Sequence, residues 1–155
     1  MSENIHILAK LLTDEGLTIS VAESCTGGAL ASALTSISGA SKFFDRGYIA
    51  YSNDAKIDML EVDPQAINER GAVSETVALE MIRGVVSQSG SDVAVSITGI
   101  AGPSGGTKEK PIGTVCFGFA VKSNVSISTQ SFQGSREEIV NQSVAFALNQ
   151  LISLL

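Results

Sequence analysis

Apolar positions recur along the chain with two periods, and each change of period marks an element. Ile5, Leu8, Ala9 and Leu12 return every three or four residues and Gly16 follows them, so the spacing predicts an amphipathic helix over 3–15. Leu17, Ile19 and Val21 then alternate with Thr18, Ser20 and Ala22, which is the period of a strand. Helical spacing resumes over 26–38, where Leu30, Ala33, Leu34 and Ile37 share a face. A second strand is expected over 44–52, interrupted by Gly47, with short helical pieces after it at 53–60 and 64–70. Ser74 suits an N-cap, and behind it Val77, Ala78, Met81, Ile82, Val85 and Val86 trace a core-facing helix that ends near Gly90.

Val93, Val95 and Ile97 predict a third strand, and 99–113, rich in glycine and holding Pro103 and Pro111, reads as a loop. Val115, Phe117, Phe119 and Val121 alternate with Thr114, Cys116, Gly118 and Ala120 in a fourth strand. A polar fifth strand around 125–132 belongs at a sheet edge. Ser135 and Glu138 form a capping box for a last helix that buries Val144, Leu148, Leu151 and Leu155. Strands alternate with helices until the fourth and fifth, which only a short turn separates. The expected fold class is therefore α/β: a three-layer α/β/α arrangement whose mixed five-stranded sheet is mostly parallel, with one antiparallel member. No repeat or composition break divides 1–155, so one domain is expected.

Composition narrows the function. At 155 residues, 44% hydrophobic and 17% charged, the chain can bury a core and is not of a disordered class. A net charge of −6 without any Lys/Arg cluster argues against nucleic acid and against an anionic membrane surface as partners. Cys25 and Cys116 are isolated and make neither a disulfide framework nor zinc spacing. The start MSENIHILAKLL is too short and polar for a signal peptide, and no apolar run of about 18 residues occurs. The reducing cytoplasm is the expected compartment. No metal and no cofactor are expected, since no His, Cys or acidic cluster has ligand spacing. An edge strand and an apolar last helix suit pairing between copies, so a homo-oligomer is expected.

Three segments follow predicted strand ends, where open α/β sheets place ligands. The first is Ala22-Glu23-Ser24-Cys25-Thr26-Gly27-Gly28. Its free backbone N–H groups face whatever lies before the next helix, so a hydroxyl there has an oxyanion hole beside it. From spacing alone, Ser24 and Thr26 more often serve as helix caps. Cys25 is an alternative nucleophile at the same helix start. A serine nucleophile needs a base. The single histidine, His6, lies on the first helix, remote from any glycine-rich loop, and leaves no Ser-His-Asp triad. Lys56, in the second segment Tyr51-Ser52-Asn53-Asp54-Ala55-Lys56, becomes a base only if burial lowers its pKa, with Tyr51 placed to relay a proton. A solvated lysine is the commoner use of such a position. The third segment runs from Thr98 to Thr107 and holds Gly99, Gly102, Gly105 and Gly106, which let a backbone approach a ligand closely. It is neither a Walker loop nor a dinucleotide fingerprint. Arg136, in the first turn of the last helix, suits a phosphate contact.

These segments, with Gly71-Ala72-Val73-Ser74 and Lys110-Pro111-Ile112-Gly113-Thr114-Val115, together resemble the signatures of the CinA C-terminal domain family. The resemblance covers nearly the whole chain, in order and at family-like spacing. It implies nicotinamide-nucleotide amidohydrolase activity, in which nicotinamide mononucleotide gives nicotinic acid mononucleotide and ammonia, recycling a by-product of NAD metabolism. It also implies a serine–lysine mechanism: Ser24 attacks, Lys56 is the base, Tyr51 assists, and N–H groups at Thr26 and Gly27 hold the oxyanion. Thr98, Gly99, Gly102, Gly105, Gly106 and Arg136 would hold the small-molecule nucleotide. Two positions depart from the family pattern: Ser135 stands where many relatives have aspartate, and Val140 where they often have a second arginine. The alternative from another class is a catalytically silent nucleotide-binding module of the same fold.

Overall fold

The computed structural model describes all residues, Met1–Leu155. Helix α1 (Ser2–Glu15) ends on Gly16 in the left-handed conformation, and strand β1 (Ile19–Glu23) follows. Next come α2 (Ala29–Leu34), a single 3-10 turn at Ala40–Lys42 and β2 (Phe44–Ile49). Helices α3 (Asn53–Leu60), α4 (Pro64–Arg70) and α5 (Glu75–Ser89) lead into β3 (Val93–Gly99). The chain closes with β4 (Thr114–Val121), β5 (Asn124–Ser131) and α6 (Arg136–Leu154). The sheet order is β2-β1-β3-β4-β5. β1 pairs in parallel with β2 and β3, and β4 is antiparallel to both its neighbours. β4 is thus the one strand running against the other four, as its adjacency to β5 predicts.

The two faces of the sheet carry side chains of different size, and this sets the layers. Ile19, Val21, Val93, Val95, Ile97, Phe117 and Phe119 join the large core cluster with Leu8 and Leu12 of α1, Leu30 and Leu34 of α2, and Leu148 and Leu151 of α6. Phe146 seats α6 on this face, its ring centroid 4.7 Å from that of Phe117. The opposite face offers Ala22, Ala94 and Ala120 to Val77, Met81, Ile82 and Val85 of α5. Small residues bring that helix close: the Ser96 hydroxyl donates to the Ala78 carbonyl at 2.8 Å. A methyl group on Gly118 would stand 2.9 Å from the same carbonyl oxygen. Strands buried on both faces explain why β1 is wholly buried, and β3 as far as Thr98, while the edge strands β2 and β5 are not.

Two predicted elements are shorter than their apolar spacing suggests. Helix α2 begins three residues after Thr26 because Gly27 and Gly28 take φ of 55° and 105° and form a turn. It ends at Leu34, beyond which the Thr35 and Ser36 hydroxyls bond back to the Ala31 and Ala33 carbonyls. β2 stops at Ile49, since Ser52 is the N-cap of α3 and its hydroxyl accepts from the Ala55 N–H. Leu155, expected in the last helix, lies just past its end and is half-buried.

Register places the chemistry. Glu23 lies level with Ile49 on one side and Ile97 on the other. The segments that leave β1, β2 and β3 therefore emerge on one rim of the sheet. β4 starts at that rim, with Val115 opposite Gly99, and β5 ends there, with Ser131 opposite Thr114. Arg136 follows within five residues. No helix is long and apolar enough to cross a membrane.

Candidate active site

Ser24 directly follows β1, the strand that pairs in parallel on both sides, and is held from both sides. Its N–H donates to the Ile97 carbonyl at 3.0 Å, and the carbonyl of Glu23 before it accepts from the Ala50 N–H at 2.9 Å. The hydroxyl lies 3.1 Å from the Lys56 Nζ. Lys56 belongs to the first turn of α3, and its backbone N–H donates to the Ser52 carbonyl. The side chain turns inward beneath Ser24 and is only 2% exposed. Its amine also donates to the main-chain carbonyl of Tyr51 at 3.1 Å, and the same carbonyl is 3.2 Å from the Ser24 hydroxyl as acceptor.

No carboxylate accompanies this lysine: the ion pairs of the chain are Lys10–Asp14, Arg46–Asp45 and Lys122–Glu15, all exposed. Burial therefore lowers the Lys56 pKa from the ordinary lysine value, opposed only by the weaker influence of the neighbouring Cys25 thiol. An amine so placed can lend a lone pair to the serine hydroxyl while one of its N–H groups stays on the Tyr51 carbonyl. The Cys25 thiol, by contrast, is pushed up to about 12, chiefly by burial, so it stays protonated at neutral pH. Of the two adjacent nucleophile candidates, the hydroxyl lies beside an amine of lowered pKa and the thiol stays protonated at neutral pH.

A cleft of about 250 Å³ opens above this pair. It brings together Ser24, Cys25, Tyr51, Lys56, Thr98, Gly99, Gly102, Gly105 and Arg136, drawn from all the strand-end segments. Tyr51 contributes twice. Its carbonyl faces Lys56, while its phenol turns outward to accept from one Arg136 nitrogen at 2.8 Å. The other Arg136 nitrogen donates to the Gly102 carbonyl at 2.7 Å. Thr98 lends the cleft a wall, its hydroxyl committed to the Ala72 carbonyl at 2.8 Å. Gly106 stands behind the loop, packed against Pro111 and Ile112, and does not line the cleft.

The turn after Ser24 divides its N–H groups. That of Gly27 is spent on the Ser24 carbonyl at 3.0 Å, whereas those of Cys25 and Thr26 have no acceptor in the chain. The Thr26 side chain is turned away, donating to Glu23 at 2.6 Å. Asn53, Ala72, Val73, Ile100, Ala101 and Ser104 complete the lining, and residue-level reading of the sequence did not single them out. Ala72 and Val73 were within reach, because the segment 71–74 is one of those that carry the family resemblance. Val140 packs against the core outside the cleft. No group of three or more His, Cys, Asp or Glu side chains stands at metal-binding spacing.

The sequence profile of the CinA C-terminal domain matches residues 2–155. The chain belongs to the CinA C-terminal domain family. A protein of Enterobacter agglomerans named nicotinamide-nucleotide amidohydrolase PncC is 50% identical over 138 residues, covering 88% of this chain and 84% of that one. CinA-like proteins of Chlorobium limicola and Kosmotoga olearia are 56% and 47% identical over 74% and 93% of this chain. The chain spans only 27% and 35% of their lengths. Among solved CinA structures, the competence/damage inducible protein CihA of Agrobacterium tumefaciens superposes with a TM-score of 0.96 at 42% identity, over 99% of this chain and 94% of that one. A CinA superfamily protein of Escherichia coli gives 0.96 at 38% identity, over 99% and 90%. The α/β fold described above is thus that of the CinA superfamily.

Proposed function

We propose that this chain hydrolyses the carboxamide of nicotinamide mononucleotide to nicotinic acid mononucleotide and ammonia, with Ser24 as nucleophile and Lys56 as base. The observation that carries the reading is the buried Lys56 amine 3.1 Å from the Ser24 hydroxyl, at the floor of the cleft. The name of the Enterobacter agglomerans relative supplies the substrate.

Lys56 takes the hydroxyl proton as the Ser24 Oγ attacks the carboxamide carbon, and the Tyr51 carbonyl holds the resulting ammonium. The carbonyl oxygen becomes an oxyanion that the N–H groups of Cys25 and Thr26, which have no acceptor in the chain, would receive. In this reading the N–H of Gly27 supports the turn rather than the oxyanion. Collapse of the tetrahedral adduct breaks the C–N bond, and Lys56 returns its proton to the departing ammonia. Water then adds to the acyl ester with Lys56 again as base, and Ser24 leaves with the proton. Arg136 and the loop of Gly99, Gly102 and Gly105 form the far wall, where the ribose phosphate would lie. Arg136 already donates to Tyr51 and Gly102, so a phosphate arriving there meets a guanidinium whose plane is set.

The test is ammonia release from nicotinamide mononucleotide by purified protein. Wild type releases ammonia, and Ser24→Ala and Lys56→Ala each lower the rate by about 10³-fold or more. Equal rates from wild type and both variants would remove the mechanism. Binding without turnover by the wild type would make the chain a nucleotide-binding module.

A further inference from the structure

Glu23 is the one carboxylate among the buried residues, and the mechanism above makes no use of it. No cation is paired with it. Its oxygens instead accept three hydrogen bonds: from the Thr26 hydroxyl at 2.6 Å, the Leu30 N–H at 2.9 Å and the Ala31 N–H at 2.9 Å. The side chain of the last β1 residue thus spans the serine turn and ties the strand end to the first turn of α2. Between the tie points lie Ser24 and the two N–H groups without acceptors. The two glycines of the turn, at positive φ, leave its backbone the most freedom to lose.

A buried carboxylate is costly, and well-packed apolar groups would stabilise a fold as well or better. What the three bonds add is a fixed shape at the nucleophile. We propose that Glu23 is a positioning residue: its carboxylate straps the turn so that the Ser24 hydroxyl and the N–H groups of Cys25 and Thr26 stay aimed at one point in the cleft. The inference rests on the serine reading above. The α2 N–H groups that an amino-terminal helix end would offer an anion are taken by Glu23, so the substrate's phosphate is received by the Arg136 side of the cleft.

Sulfonylation tests this without depending on which amide is the substrate. Phenylmethanesulfonyl fluoride forms an Oγ–S bond at an activated serine, the S–F bond breaks, fluoride leaves, and the proton passes to the base. The rate of labelling at Ser24 is followed by mass spectrometry, beside the thermal midpoint. Glu23→Gln keeps the shape but sets an NH2 against donors that all need acceptors. The folded variant is expected to label at least about tenfold more slowly, with kcat for nicotinamide mononucleotide falling alike and KM moving less than about threefold. A folded Glu23→Gln labelled at the wild-type rate would overturn the inference. If that variant does not fold, Thr26→Ser and Thr26→Val decide, because only the first keeps the hydroxyl on Glu23. Thr26→Ser is expected to label about tenfold faster than Thr26→Val, and equal rates would overturn the strap. A wild type that takes no label at Ser24 removes the nucleophile and this inference with it. Failure of the strap alone is recognised by a labelled wild type.

Discussion

The burial that lowers the Lys56 pKa also costs the fold stability. An ammonium 2% exposed, with no carboxylate beside it, is stabilised by one hydroxyl and one carbonyl, and the amine escapes the cost by losing its proton. Below the lowered pKa, folded and unfolded chains both carry the proton, and the native state bears the full cost. Between that value and the ordinary lysine value of about 10.4, the unfolded chain binds more protons, so stability rises with pH. Above it the cost is gone. Lys56→Met, similar in length and apolar, therefore abolishes turnover yet stabilises the protein by about 1–2 kcal/mol at pH 7. The gain shrinks toward zero as pH approaches about 10. Denaturant midpoints of the two proteins at pH 6, 7, 8.5 and 10 check this; a variant less stable than wild type at pH 6 would mean that the amine is not buried as a cost. At this scale the order of residues offered Ser24 and Lys56 only as candidates near strand ends, where spacing favoured a helix cap and a solvated lysine. The family resemblance, not spacing, paired them, because burial and the 3.1 Å contact exist only in three dimensions. Glu23 was not a candidate: nothing in the order Val-Ala-Glu-Ser says that the carboxylate folds back over seven and eight residues to Leu30 and Ala31.

Helices and strands carry these side chains, and α3 is the one whose placement matters most. Its last residue, Leu60, lies against Gly84 of α5, where an added methyl group would stand 2.9 Å from the Leu60 Cβ and 3.0 Å from its carbonyl carbon. Backbone cannot yield there as a flexible side chain would, so Gly84→Ala pushes α3 away from α5 as a body. Lys56 lies one turn before Leu60 and moves with it. The expected cost is about 1–3 kcal/mol of stability, with a fall in kcat of about tenfold or more as the Nζ–Oγ distance opens. Chemical denaturation and ammonia release on the same preparation check both, and an unaltered kcat would mean that α3 is not held by this contact. The long amphipathic elements α1, α5 and α6 and the alternating β1, β3 and β4 were readable from periodicity alone, since the larger apolar side chains of each recur on one face, even where the strands are buried on both. α2 was overread because Leu30, Ala33, Leu34 and Ile37 keep helical spacing through a segment that the glycine turn and the back-bonding Thr35 and Ser36 confine to six residues. Spacing reports which residues face the core, not where the backbone stops being helical.

At the scale of the molecule, one antiparallel strand decides that the site is whole. Because β4 runs back across the sheet, β5 ends on the same rim as β1, β2 and β3, and α6 starts there with Arg136. Arg136 then braces two other segments, Tyr51 through its phenol and Gly102 through its carbonyl, so three stretches far apart in sequence share one guanidinium. This separates two roles for Tyr51. If the phenol relayed the catalytic proton, Tyr51→Phe would cut kcat by the 10²-fold or more that loss of a general acid–base typically costs. If instead the main-chain carbonyl holds Lys56 and the phenol holds Arg136, the variant keeps the carbonyl and loses only the brace. We expect the second: kcat falls less than about tenfold while KM for nicotinamide mononucleotide rises. Arg136→Ala should raise KM further, by about tenfold to a hundredfold, as befits a lost charge-assisted contact. That same variant should lose less affinity for nicotinamide riboside, which lacks the phosphate. Steady-state kinetics on both substrates give the answer, and equal losses for the two would place the guanidinium at the reacting end of the cleft rather than at the phosphate.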